Sequence, residues 1–140
     1  METARIADAA LGIRHVFVHG LVLPARIGVF ATEEGRTQRV RIAVDLGVVD
    51  AMASGGARNL SRAGVGRDEL ARVVDYSVIV DRVRAIVAAG HVRLVETLAE
   101  RIAEACLEDG RILSARVRVE KLDIYPDAEG VGVEIERRRG

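Results

Sequence analysis

Among 21 basic side chains in this 140-residue sequence, Lys121 is the single lysine and the other 20 are arginines. A guanidinium keeps its proton across the physiological range, whereas an amine can release one. General acid, general base and Schiff-base chemistry are therefore open to Lys121 and closed to every arginine. Composition leaves a second reading beside it, a solvating lysine at the end of a surface strand. Glu96 interrupts an apolar stretch, Arg93-Leu-Val-Glu-Thr-Leu-Ala-Glu, at the start of a helix. A carboxylate there either offsets the positive helix N-terminus or faces a pocket, where it would accept from adjacent N–H donors such as an aminopyrimidine edge. Tyr76, following Asp75 at the mouth of another helix, either closes the core with its ring or offers its hydroxyl to a ligand. Glu33 and Glu34 in Ala31-Thr-Glu-Glu-Gly read by default as solvated loop charges. Tyr125 reads as a rim group in a loop.

Other chemistries lack support. His15 and His19, placed on one strand, stand about 13 Å apart at ~3.3 Å per residue, too far to share an ion through bonds near ~2.1 Å, so no metal is expected. No glycine pattern of the phosphate-loop or dinucleotide type follows a strand and opens a helix, so no nucleotide cofactor is expected, and no Gly-x-Ser-x-Gly elbow occurs. Cys106, set among Ala103, Ala105 and Leu107, fits a packed helix face, and one thiol fits a reducing cytoplasm. A formal net charge of zero argues against a nucleic-acid partner. No run of about 20 apolar residues is present to cross a bilayer, so no membrane partner is expected. The length suits one domain, read as 13–140 after a short extension at 1–12.

The elements that must position these groups follow from periodicity. Val40, Ile42, Val44, Leu46 and Val48 take every second place on a half-buried strand, and His15 to Leu23, carrying Val16, Val18 and Val22, reads as its partner. Residues 51–66 are rich in Gly, Ala, Ser and Arg without a period and read as a loop. Ile79, Val83, Ile86 and Val87 mark one helix from Tyr76, with Asp75 or Ser77 as its cap. Val95, Leu98, Ile102 and Cys106 mark a second. Ala115, Val117 and Val119, then Val131, Val133 and Ile135, return to strand alternation. The order ββααββ predicts an α+β fold, two helices on one face of a four-stranded, mainly antiparallel sheet.

Four blocks in this order resemble the dihydroneopterin aldolase family. They are Ile27-Gly-Val-Phe-Ala-Thr-Glu, Asp75-Tyr-Ser-Val-Ile-Val, Leu94-Val-Glu-Thr-Leu-Ala-Glu-Arg-Ile-Ala, and Val117-Arg-Val-Glu-Lys with Val131-Gly-Val-Glu-Ile-Glu-Arg. The resemblance implies the tunnelling fold, assembled as a homo-oligomeric ring of four or as an octamer of two rings, with sites between subunits. It implies a small pterin substrate, 7,8-dihydroneopterin, cleaved by a retro-aldol step to 6-hydroxymethyl-7,8-dihydropterin and glycolaldehyde in folate biosynthesis, without metal or cofactor. Position by position, it implies Glu96 as the pterin anchor supported by the backbone of Leu94 and Val95. It further implies Lys121 as the catalytic lysine, Tyr76 as a catalytic and substrate-contacting tyrosine from across the subunit boundary, and Glu33 as the acid that holds the site. Two departures stand out. Many relatives follow the lysine with proline, whereas Leu122 follows it here, and the 51–72 segment looks long. The leucine is reminiscent of the sister epimerase acting on dihydroneopterin triphosphate, which is one alternative; a non-catalytic pterin-binding ring protein is another.

Overall fold

In the computed structural model, residues 6–50 and 68–140 are described. The strand from Gln38 to Val49 (β2) lies inside the sheet, and its even-numbered apolar residues Val40, Ile42, Val44, Leu46 and Val48 are at most 4% exposed. Ile13–Ala25 (β1) pairs on one side of it and Ile112–Lys121 (β3) on the other. Val131–Arg138 (β4) lies beyond β3, so the order is β1-β2-β3-β4 with every pair antiparallel. The predicted ββααββ order is the order observed.

Each strand has one apolar face, and two helices, Tyr76–Ala88 (α1) and Val95–Cys106 (α2), cover it. Ile79, Val83 and Val87 of α1, with Leu98, Ala99, Ile102, Ala103 and Cys106 of α2, share one buried cluster with the inward residues of β2 and β3. Asp75 caps α1, its Oδ1 accepting from the Ser77 N–H at 2.9 Å, whereas Leu94 gives α2 no side-chain cap. Cys106 sits in the packed face as expected, and burial pushes its thiol up to about 11, away from nucleophilic use at neutral pH.

The structure corrects the reading of β1. Register shifts between Val18 and Leu21, and Gly20 takes a φ of +70° there. The extra residue reverses the side-chain phase, so Leu21 and Leu23 pack on the core while Val22 is exposed. Residues 6–12 fold back on the start of β1, with Asp8 and Ile13 exchanging two backbone hydrogen bonds of 2.8 Å. The predicted loop at 51–66 lies outside the described residues, and Leu70–Arg72 forms a short 3-10 turn before α1. Among the described residues no helix is long and apolar enough to cross a membrane.

Candidate active site

Lys121 ends β3 in the same phase as Val117 and Val119, so strand alternation carries its side chain to the helix-covered face. The amine donates to Glu33 Oε2 at 2.7 Å, with the lysine and glutamate side chains 14% and 2% exposed. Glu33 is therefore no solvated loop charge. A 3-10 turn, Ala31–Glu33, folds its side chain inward, and the Phe30 N–H donates to Glu33 Oε1 at 3.3 Å. Gly28 makes the room: at its φ of +134°, a Cβ would lie 2.1 Å from the Glu33 carboxyl carbon. Gln38, at the start of β2, donates from Nε2 to Glu33 Oε2 at 2.8 Å and to the Ile27 carbonyl at 2.7 Å.

These contacts decide the charge of Glu33. Burial alone would push its pKa up, but hydrogen bonds from Lys121, Gln38 and the Phe30 amide, with the Lys121 charge, outweigh burial and hold it below the ordinary carboxylate value. Glu33 is thus an ionised, acceptor-only partner for the amine.

A strap of three hydrogen bonds ties this turn to the approach of α2. Val92 N–H donates to the Arg26 carbonyl at 3.0 Å, Gly28 N–H to the Val92 carbonyl at 3.0 Å, and His91 Nε2 to the Gly28 carbonyl at 2.8 Å. The start of α2 is thereby brought to the end of the sheet where Lys121 lies. Glu96 is exposed in the first turn, Val95 is half-buried against the core, and Leu94 is 49% exposed. Leu94 has no side-chain acceptor to cap this helix, so its first N–H groups lie beside the Glu96 carboxylate without a bond from that residue. Val29, His91, Val92, Arg93, Leu94, Thr97 and Arg101 line an adjoining cleft of about 500 Å³.

Tyr76 is not part of this constellation within one chain. Arg111 Nη1 donates to the Val73 carbonyl at 3.1 Å, which fixes the approach to α1 beside the beginning of β3. Lys121 is the last residue of that ten-residue strand, and at ~3.3 Å per residue the strand runs roughly 30 Å. Glu33, Lys121 and the start of α2 therefore gather at one end, while Tyr76, 65% exposed, stands toward the other. Tyr125 is 56% exposed between β3 and β4.

The two histidines of β1 converge more closely than the ~13 Å of backbone spacing implies. His15 and His19 each bring Nε2 within 2.7 Å of the same oxygen, Asp45 Oδ1, with the Phe17 ring between them at centroid distances of 5.1 and 4.7 Å. Flexible χ angles close a gap that backbone spacing leaves open. Even so, among the described residues no three His, Cys, Asp or Glu side chains are arranged to hold a metal ion. Gly28, Gln38 and His91 also belong to the site's frame. Only Gln38 carried a legible signal, a polar residue in phase with Val40, Ile42 and Val44.

Residues 16–136 match the family model for dihydroneopterin aldolase (FolB). A dihydroneopterin aldolase of Streptomyces coelicolor is 33% identical over 108 residues, which cover 77% of this chain and 82% of that protein. A dihydroneopterin aldolase structure from Burkholderia thailendensis, bound to guanine, superposes with a TM-score of 0.76 at 32% identity, covering 98% of this chain and all (100%) of that one. The E. coli dihydroneopterin aldolase in complex with neopterin gives a TM-score of 0.73 at 27% identity, covering 89% of this chain and 98% of that one. With its fold, its sequence blocks and nearly its whole length in agreement, this chain belongs to the dihydroneopterin aldolase family.

Proposed function

We propose that this protein cleaves 7,8-dihydroneopterin by a retro-aldol reaction, releasing glycolaldehyde and 6-hydroxymethyl-7,8-dihydropterin. The observation that carries the reading is the buried Lys121–Glu33 contact of 2.7 Å at the same end of the sheet as Glu96. Glu96 anchors the pterin by accepting from its 2-amino group and ring N–H, and the backbone of Leu94 and Val95 supports that grip. Lys121, in its neutral amine form, takes the proton of the 2′-hydroxyl and becomes the ammonium. As the C1′–C2′ bond breaks, its electron pair passes into the substrate's N5=C6 imine, and the fragment carrying C2′ leaves as the aldehyde. The enamine that remains takes a proton at C1′, with Tyr76 participating. Glu33, ionised, accepts from Nζ and holds the amine toward the substrate.

Tyr76 lies toward the opposite end of its own chain, so this reading requires a homo-oligomer in which one subunit's Tyr76 completes its neighbour's site, in a ring of four or a pair of such rings. Two features support it. The outer edges of β1 and β4 have no strand partner among the described residues. Leu70, Tyr76 and Val78 are 65%, 65% and 55% exposed around the start of α1.

The test is to incubate the purified protein with 7,8-dihydroneopterin and, separately, with its triphosphate. Glycolaldehyde released from the first is the expected result. Inversion of the triphosphate at C2′ without net cleavage would support the sister epimerase, and pterin binding without turnover of either would support a binding module.

A further inference from the structure

Gln38 is 6% exposed and occupies an inward position at the start of β2. Its carboxamide nitrogen faces two acceptors, the Ile27 carbonyl at 2.7 Å and Glu33 Oε2 at 2.8 Å. Its oxygen is buried and meets no hydrogen-bond partner among the described residues. Turning the amide over would set that oxygen against two other oxygens, so its orientation follows from the need for donors at this spot. A buried polar atom without a partner is costly, and such atoms are few in folded proteins. This one sits on the side chain that contacts the same carboxylate oxygen as Lys121.

We propose that Gln38 is a positioning residue for the reaction. It bridges the Ile27 carbonyl to Glu33 Oε2 and holds that carboxylate as an acceptor-only group aimed at Lys121, which leaves Lys121 as the group that moves the proton. The proposal rests on the aldolase reading given above. A glutamine serving only the Ile27 carbonyl would be structural, and the two roles differ in what they do to Glu33.

Gln38→Met keeps side-chain length and removes both donors. The variant is expected to lose about 10-fold or more in kcat, as small misplacements of catalytic groups do, while KM for dihydroneopterin stays within about 2-fold. Glu33 loses one of the hydrogen bonds that lower its pKa, so the acid limb of the kcat profile moves to higher pH. Carbon-13 titration of the Glu33 carboxyl in the resting protein is expected to move the same way. A kcat, acid limb and Glu33 titration equal to wild type would overturn the proposal. Should the wild type fail to cleave dihydroneopterin, the functional reading falls while the titration still decides the role of Gln38. Should the Met variant not fold, Gln38→Asn shortens the side chain by one methylene and withdraws its amide from Glu33 without adding a charge. A raised Glu33 titration supports the proposal there, and an unmoved one overturns it.

Discussion

Two sets of ion pairs divide the sheet between them. On the face away from the helices, Arg41 pairs with Glu120 at 2.7 Å, Arg116 with Glu136 at 3.5 Å and Arg118 with Glu134 at 4.0 Å, across neighbouring strands. At the end of the helix-covered face, Lys121 pairs with Glu33 at 2.7 Å, and the carboxylate is 2% exposed. In this ladder Arg116, Glu136, Arg118 and Glu134 keep 21–55% of their side-chain surface in water, so their pairs contribute little, while Arg41–Glu120, with its carboxylate 13% exposed, stands between them and the buried pair. The buried pair lies largely out of reach of water, so removing Lys121 leaves the Glu33 charge to the Gln38 and Phe30 donors alone. The chain uses arginine throughout the ladder and its single lysine at the buried contact. The contrast separates charge that solvates a surface from the buried contact on which the proposed reaction rests.

The sharpest way to break this contrast is Lys121→Arg. The substitution keeps the positive charge opposite Glu33 and removes the group able to exchange a proton, so turnover is expected to fall on the order of 10²–10⁴-fold. Pterin affinity, which the proposed function assigns to Glu96, should change little by calorimetry; wild-type turnover would show that the lysine is only a cation.

Glu33→Gln comes next. Its carboxyl titrates below the ordinary value of 4.5 in the folded protein, so its stabilising contribution is fully present above that pH and is lost as pH falls through the lowered native value. Neutralising it should cost roughly 1–3 kcal/mol at pH 7 and flatten the decline of stability at acid pH, both measurable by denaturant melts across pH.

The smallest effect is expected from Arg118→Lys. Its side chain is 55% exposed and its pairs with Glu120 and Glu134 lie at 3.4 and 4.0 Å. Stability should stay within about 0.5 kcal/mol of wild type, with activity unchanged; a loss comparable to that of Glu33→Gln would erase the distinction between the two sets.

How far these regions can be read from sequence differs for physical reasons. The inward face of β2 is legible because strict alternation over a paired strand has one solution, and both helices follow from their apolar spacing and the Asp75 cap. The phase of β1 is not, because one positive-φ glycine, Gly20, reverses every later side chain. Lys121 and Glu96 stand out by type and place. Glu33 does not, since its burial depends on Gly28, Gln38 and Lys121, which lie up to 88 residues away and meet only when the sheet forms. The separation of Tyr76 from Lys121 is a property of topology, visible once α1 is seen to begin beside the start of β3.

The most direct test of an active site shared between copies uses that separation. Lys121→Arg and Tyr76→Phe proteins, each impaired alone, are unfolded together, refolded and assayed for glycolaldehyde release from 7,8-dihydroneopterin. Sites pairing an intact Lys121 from one chain with an intact Tyr76 from another should restore activity that neither variant shows when refolded by itself. A mixture with no more activity than its separate parts would contradict the account.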